Sequence, residues 1–315
     1  MKHAVIDMGT NVFALLLAED APDGIRWIRE QKVPVRLGDG GLARGRLSEQ
    51  AFASARRAYD HFKESLDKEG NIAQVRGYAT SAFREAANGA DLRDVLIRQY
   101  GYPVEIISGE REAELIATGI LAAVPDLDGT ALLMDIGGGS NEFILVKDKK
   151  IVWKRSFPLG MARMLELFQP QDPVREQTVH EFGAYCTTIL QPLRQALAQY
   201  PPQCLVGSSG SFETFRDLMF GVTVDMDHPG FEPSARFDRQ QLEALFDRLV
   251  ASDRQERSQM AGMTPVRVDF IVLAALFTRL VLSMLPRDIQ VRQSSFSLKE
   301  GAMVQLMKKQ FRDTL

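Results

Sequence analysis

Cysteine is nearly absent: Cys186 and Cys204 are the only two in 315 residues, and with four histidines and no CxxC spacing they frame neither a disulfide scaffold nor a zinc site. Both thiols read as buried apolar filler. A long hydrophobic run is also lacking. The longest, Phe270 to Leu285, is broken by Arg279 and falls short of the ~20 apolar residues a membrane span requires. Asp7 interrupts the first apolar run, which argues against a signal peptide and makes the cytoplasm the expected location. Excess charge of one sign is missing as well. With 38 Lys and Arg against 41 Asp and Glu, the chain has no broad nucleic-acid footprint, although a local basic pocket for a polyanion stays open. No low-complexity segment or heptad array is present. What remains, 45% hydrophobic and 25% charged residues, is the composition of an ordinary soluble enzyme, in a chain long enough for two cores.

The most informative stretch is Ala131 to Leu145, in which an apolar run ends at Asp135, turns through Gly137-Gly138-Gly139-Ser140, and resumes beside Glu142. Successive glycines let backbone N–H groups approach a ligand closely, as in a phosphate cradle. Two carboxylates flanking such a turn are hard oxygen donors suited to Mg²⁺. A plain hairpin with a glycine turn is the alternative, but hairpin turns rarely use three glycines in a row. The same design occurs 128 residues earlier, from Val5 to Leu17, and aligns without a gap. Asp7 falls on Asp135, Gly9 on Gly137, Val12 on Ser140 and Ala14 on Glu142. The chain therefore reads as a duplicated α/β domain, with metal chemistry leaning on the second copy, the one with a carboxylate at both positions.

Periodicity predicts strands near 4–7, 12–18, 25–33, 75–79 and 103–107, with helices from Ser48, at 90–100 and at 110–123. Pro125-Asp126-Leu127-Asp128-Gly129 marks a boundary, giving domains 1–125 and 126–315, with the last helix free to return to the first domain. Further strands are expected near 130–135, 142–147, 151–157, 203–207 and 288–292. Helices are expected near 175–199, 211–220, 238–250 and 267–285, and residues 221–237 read as an exposed loop.

These hairpins, together with Thr80 to Asn88, Glu105 to Ile116, Val35 to Leu42, Val206 to Ser211 and Ser295 to Gly301, resemble the exopolyphosphatase/guanosine pentaphosphate phosphohydrolase family. The matches keep their order over nearly the whole chain. The resemblance implies the actin/Hsp70/sugar-kinase fold, two ribonuclease-H-like domains with an interdomain cleft, in the short form of the family. It also implies roles. Glu112 matches the base that activates water, Asp135 and Glu142 match a Mg²⁺-associated pair, and Asp7 matches the acid of the first hairpin. Arg84 matches a phosphate-binding arginine, whose fork suits two phosphate oxygens. Gly9, Thr10 and Asn11, with Gly137, Gly138, Gly139 and Ser140, match the phosphate-holding turns. Glu110, Glu112 and Glu114 would also serve simply as first-turn helix acids. Gly207 and Gly210 belong to a third small-residue turn, which either binds anion through N–H groups or lets two helices approach.

The chain departs from the family pattern at Val12, where Ser or Thr is usual, and at Ala14, where Arg or His is usual. Arg36 or another cation is expected to fill that gap if activity is retained. Three functions remain in view. The first is Mg²⁺-dependent release of terminal orthophosphate from inorganic polyphosphate. The second is hydrolysis of guanosine pentaphosphate. The third is a catalytically weakened polyphosphate- or alarmone-binding regulator. A homodimer is suggested by analogy alone, and neither a nucleic-acid nor a membrane partner is expected.

Overall fold

Each acid-glycine hairpin opens a mixed sheet in the computed structural model, which describes residues 1–22, 24–39, 45–224, 226 and 231–313. Strands β1 (Lys2–Met8), β2 (Val12–Ala21) and β3 (Gly24–Pro34) form an antiparallel meander. Helix α1 (Glu49–Glu69) then returns the chain to β4 (Ile72–Ala79), parallel to β1. Ser48 caps α1 by accepting from the Ala51 N–H, and Ala55, Tyr59, Phe62 and Leu66 line its buried face. Helices α2 (Ser81–Glu85) and α3 (Gly89–Tyr100), strand β5 (Val104–Ile106) and helix α4 (Gly109–Ala123) follow. The strand order is β3-β2-β1-β4-β5.

The second sheet repeats this plan. It contains β6 (Thr130–Ile136), β7 (Asn141–Lys147) and β8 (Lys150–Phe157), then helices α5 (Met161–Phe168), α6 (Glu176–Ile189) and α7 (Gln191–Gln199) lead to β9 (Cys204–Ser208). Helix α8 (Ser209–Phe220), strand β10 (Ser234–Phe237), helices α9 (Arg239–Ala251), α10 (Arg254–Ser258) and α11 (Ile271–Ser283), and strand β11 (Gln290–Ser294) complete it. The order β8-β7-β6-β9-β11 matches the first sheet strand for strand, with β10 added antiparallel at the β11 edge. Two such sheets are the duplicated ribonuclease-H-like α/β fold of the actin type. The 128-residue repeat of the sequence is thus a repeat of topology.

The chain divides into two compact units, Met1–Gly119 with Ser297–Leu315, and Ile120–Phe296. The first regains the final helix, α12 (Leu298–Asp313), which packs on β1 and β2. Two glycines permit this docking: a Cβ on Gly301 would stand 1.8 Å from the Leu115 carbonyl oxygen, and one on Gly119 would stand 2.0 Å from that of Ser297. In the first unit Phe13, Tyr59, Phe62 and Phe83 centre the core; in the second, Phe143, Phe212, Phe215, Phe246 and Phe277 do so.

Several elements differ from expectation. The helix read at 175–199 is two helices, because the chain turns at Leu190 and Pro192 sits in the first turn of α7, where its missing N–H costs nothing. The helix read from 267 begins at Ile271, since residues 264–270 form turns. The short helices α2, α5 and α10 carry too few turns to show a period. Strand β10 occupies the end of the segment read as a loop, of which residues 225 and 227–230 lie outside the described residues. Gly40, Gly41 and Leu42 of the Val35–Leu42 motif also lie outside them.

Candidate active site

The glycine turn of the second unit is held by its carbonyls. Gly137 O accepts from the Met161 N–H at 2.9 Å, Gly138 O from Ala162 at 2.9 Å, and Gly139 O from Gly160 at 3.2 Å. These donors are the otherwise unpaired N–H groups at the start of α5. The approach requires glycine, as a Cβ on Gly160 would lie 2.4 Å from the Gly138 carbonyl oxygen. The Gly137 N–H closes the turn onto Ser140 O at 3.1 Å. With carbonyls fixed on one side, the N–H groups of Gly138, Gly139 and Ser140 donate to no acceptor among the described residues. Three consecutive N–H groups in that state form an anion-binding concavity.

The first turn is built alike from different material. Gly9 N–H bonds Val12 O at 3.2 Å, the counterpart of the Gly137–Ser140 bond. Here the strap is the segment after β3: Leu37 N–H bonds Thr10 O at 2.8 Å, and Val35 and Arg36 N–H bond Asn11 O at 2.9 and 3.1 Å. The N–H groups of Thr10 and Asn11 donate to no acceptor among the described residues. Gly9 and Gly137 therefore shape their turns, and the N–H groups left without acceptors among the described residues are those of Thr10 and Asn11 and of residues 138–140.

Asp135 and Glu142 are cross-strand partners in the β6–β7 ladder, so their side chains leave the same face. Both are buried, and each has one oxygen bound by two serines. Asp135 Oδ2 accepts from Ser208 Oγ at 2.7 Å and Ser209 Oγ at 2.5 Å; Glu142 Oε1 accepts from Ser140 Oγ at 2.7 Å and Ser156 Oγ at 2.6 Å. Such a set of oxygens suits Mg²⁺, which takes one or two carboxylates and completes its shell with water and substrate phosphate. Among the described residues no group of three or more His, Cys, Asp or Glu side chains converges as a metal cage.

Sequence reasoning missed Arg267. Its guanidinium lies over Gly210, where a Cβ would meet Nη2 at 1.6 Å, and no side chain fits between them. Burial pulls the Arg267 pKa down, while the carboxylates of Glu213 and Asp135 act against that shift, which places Arg267 in the field of Asp135. An arginine remains charged in such a setting. Gly207 has a different reason for being glycine: the Phe212 ring occupies the space a Cβ would take, at 2.1 Å.

In the first unit Arg84 and Glu112 meet. Arg84 Nη1 donates to Glu112 Oε2 at 3.0 Å and to the Ile107 carbonyl at 2.8 Å, with Glu112 buried near the start of α4. Ser108 Oγ accepts from Arg111 N–H at 3.1 Å, as an N-cap does. The Nη2 and Nε groups of Arg84 have no hydrogen-bond partner among the described residues. Asp7 stands in register with Ala14, and Ala14 with Lys32, so the short Ala14 side chain separates an acid from a lysine on one face. Arg36 is tied by its backbone to Asn11, and its side chain is exposed.

A family model described as the Ppx/GppA phosphatase family matches residues 16–310. The crystal structure of an exopolyphosphatase from Cytophaga hutchinsonii superposes with a TM-score of 0.92 at 34% identity, covering 98% of both chains. The Ppx/GppA family member of Aquifex aeolicus superposes with a TM-score of 0.80 at 24% identity, again over 98% of each chain.

Proposed function

The chain belongs to the Ppx/GppA phosphatase family and is a phosphoanhydride hydrolase, and from that premise we propose that it is an exopolyphosphatase releasing terminal orthophosphate from inorganic polyphosphate. The observation that carries this reading is the row of N–H groups at Gly138, Gly139 and Ser140, whose carbonyls are fixed by α5. Phosphoryl transfer is catalysed mainly by positioning and by stabilising charge on the equatorial oxygens, which is what such a row supplies.

Water attacks the terminal phosphorus, the bridging P–O bond breaks toward the shortened chain, and the water proton passes to Glu112. The Arg84 fork and the N–H groups of Thr10 and Asn11 bind phosphate oxygens, and Arg267 adds positive charge beside Asp135. Asp135 and Glu142 would hold Mg²⁺, with Asp7 as the acid of the first hairpin; bound there, the metal neutralises phosphate charge and lowers the pKa of a coordinated water. Ser208, Ser209, Ser140 and Ser156 fix the two carboxylates through the hydrogen bonds described above. A second reading, a polyphosphate- or alarmone-binding regulator with weakened turnover, draws on Val12 and Ala14, which remove two polar groups from the first hairpin.

The test is orthophosphate release from long-chain polyphosphate and from guanosine pentaphosphate, with and without Mg²⁺. Mg²⁺-dependent release from polyphosphate is expected. Release from guanosine pentaphosphate alone would transfer the assignment to that substrate, and binding without release from either would favour the regulator.

A further inference from the structure

Beside the β5 edge of the first sheet lies a cavity of about 560 Å³, within the range of small-molecule sites. Strand alternation sends Gln74, Arg76 and Tyr78 of β4 to one face, and Glu105 of β5 stands in register with Tyr78. Arg111 of α4 and Gln305 of α12 close the wall. None of these six residues has a part in the hydrolytic reading above.

Their pairing is uneven. Arg111 is anchored, donating from Nη1 to Glu114 Oε2 at 3.0 Å and from Nη2 to Gln305 Oε1 at 2.5 Å. Arg76 meets no carboxylate among the described residues; its Nη2 and Nε lie 2.8 and 3.3 Å from the Gln74 amide oxygen in the orientation that matches donor to acceptor. The Tyr78 hydroxyl and the Glu105 carboxylate have no hydrogen-bond partner among the described residues. The four groups nevertheless share one field, for burial and Glu105 push the Tyr78 pKa up while Arg111 and Arg76 pull it down. Two guanidiniums with one carboxylate across a cavity favour a ligand that is anionic at one end and a hydrogen-bond donor at the other. Tyr78 is the one aromatic ring among the described lining residues, too little to sandwich a nucleobase.

We propose that this cavity is a second binding site, for a small molecule with an oxyanion held by Arg76 and Arg111 and an amine or hydroxyl group received by Glu105. The phosphate and carboxylate versions of that chemistry are separated by experiment. The chain has six tyrosines, so 3-fluorotyrosine incorporation gives few fluorine signals, and Tyr78→Phe identifies the relevant one. O-phosphoethanolamine and β-alanine are titrated as the two probes.

At least one probe is expected to move the Tyr78 signal saturably, in wild type and in Arg84→Ala alike, and the tighter one names the oxyanion. Arg76→Ala should weaken that binding at least about tenfold, as loss of a charge-assisted contact requires. Glu105→Gln should weaken it too, through the amine end. The site is refuted by an unmoved Tyr78 signal with both probes, by binding indifferent to Arg76→Ala and Glu105→Gln, or by binding lost in Arg84→Ala. Thermal unfolding verifies each variant, and Arg76→Gln replaces Arg76→Ala if the latter does not fold. No turnover is read, so failure of the polyphosphate assignment leaves this result intact.

Discussion

Arg84 Nη1 lies 3.0 Å from Glu112 Oε2, so the group assigned to phosphate binding and the group assigned to water activation are joined as one ion pair in the first unit. The pair orients Glu112, and the second Arg84 bond, to Ile107 O, orients the guanidinium in turn. A phosphoryl oxygen that engages this fork shares Arg84 with Glu112, which couples substrate arrival to the charge around the base.

Glu112→Gln preserves the shape and removes the proton acceptor. Turnover on polyphosphate should fall about 10²–10⁴-fold, the usual worth of general-base assistance. The same preparation should unfold at nearly the wild-type temperature. Retention of more than about a tenth of the rate would take Glu112 out of the mechanism.

Arg84→Lys keeps the charge and loses the planar fork. KM for polyphosphate should rise about tenfold or more, in line with one charge-assisted hydrogen bond, and Arg84→Ala should do at least as much. Steady-state kinetics with KM unchanged in both variants would show that Arg84 holds Glu112 and nothing else.

Asp135→Asn weakens a hard oxygen donor while leaving the serine contacts within reach. The Mg²⁺ concentration for half-maximal rate should increase by at least about tenfold, and Ser208→Ala should shift it in the same direction. Identical Mg²⁺ titrations of wild type and Asp135→Asn would move the metal elsewhere.

A buried cluster in the first unit makes a stability prediction. Lys299 Nζ stands 2.8 Å from Glu30 Oε1 and 2.9 Å from Glu300 Oε1, with Glu300 1% exposed. Burial raises the Glu300 pKa, and Lys299 opposes the rise. Lys299→Met leaves the carboxylates without their cation and should cost about 3–5 kcal/mol. A carboxyl whose folded pKa exceeds its unfolded value loses stability as pH climbs from the unfolded value through the folded one. Urea unfolding of Lys299→Met should therefore give a larger deficit at pH 8 than at pH 5; a pH-independent deficit would contradict this.

Local pattern carried the reading where chemistry is sequential. The two turns show in the sequence because acid, glycine and apolar strand follow each other within a few residues, and their topology repeats as the 128-residue shift implies. Arg84 and Glu112 were each visible, but their contact spans 28 positions and belongs to tertiary structure. Arg267 left no local trace, because its place over Gly210 depends on how the turns at 264–270 are packed. Gly160 was silent for the same reason: its need for a bare Cα comes from Gly138, a neighbour only after folding.

The first unit takes its opening 119 residues from the start of the chain and its last helix from Ser297 onward, whereas the second unit is continuous. Synthesis therefore inverts their order of completion. The unit encoded second has all its strands and helices before the unit encoded first has α12. At roughly 5–20 residues per second, the roughly 180 intervening residues take about 10–35 s to emerge. Throughout that interval the α12-facing surfaces of β1 and β2 await their cover, and the nascent chain must keep them from other apolar partners.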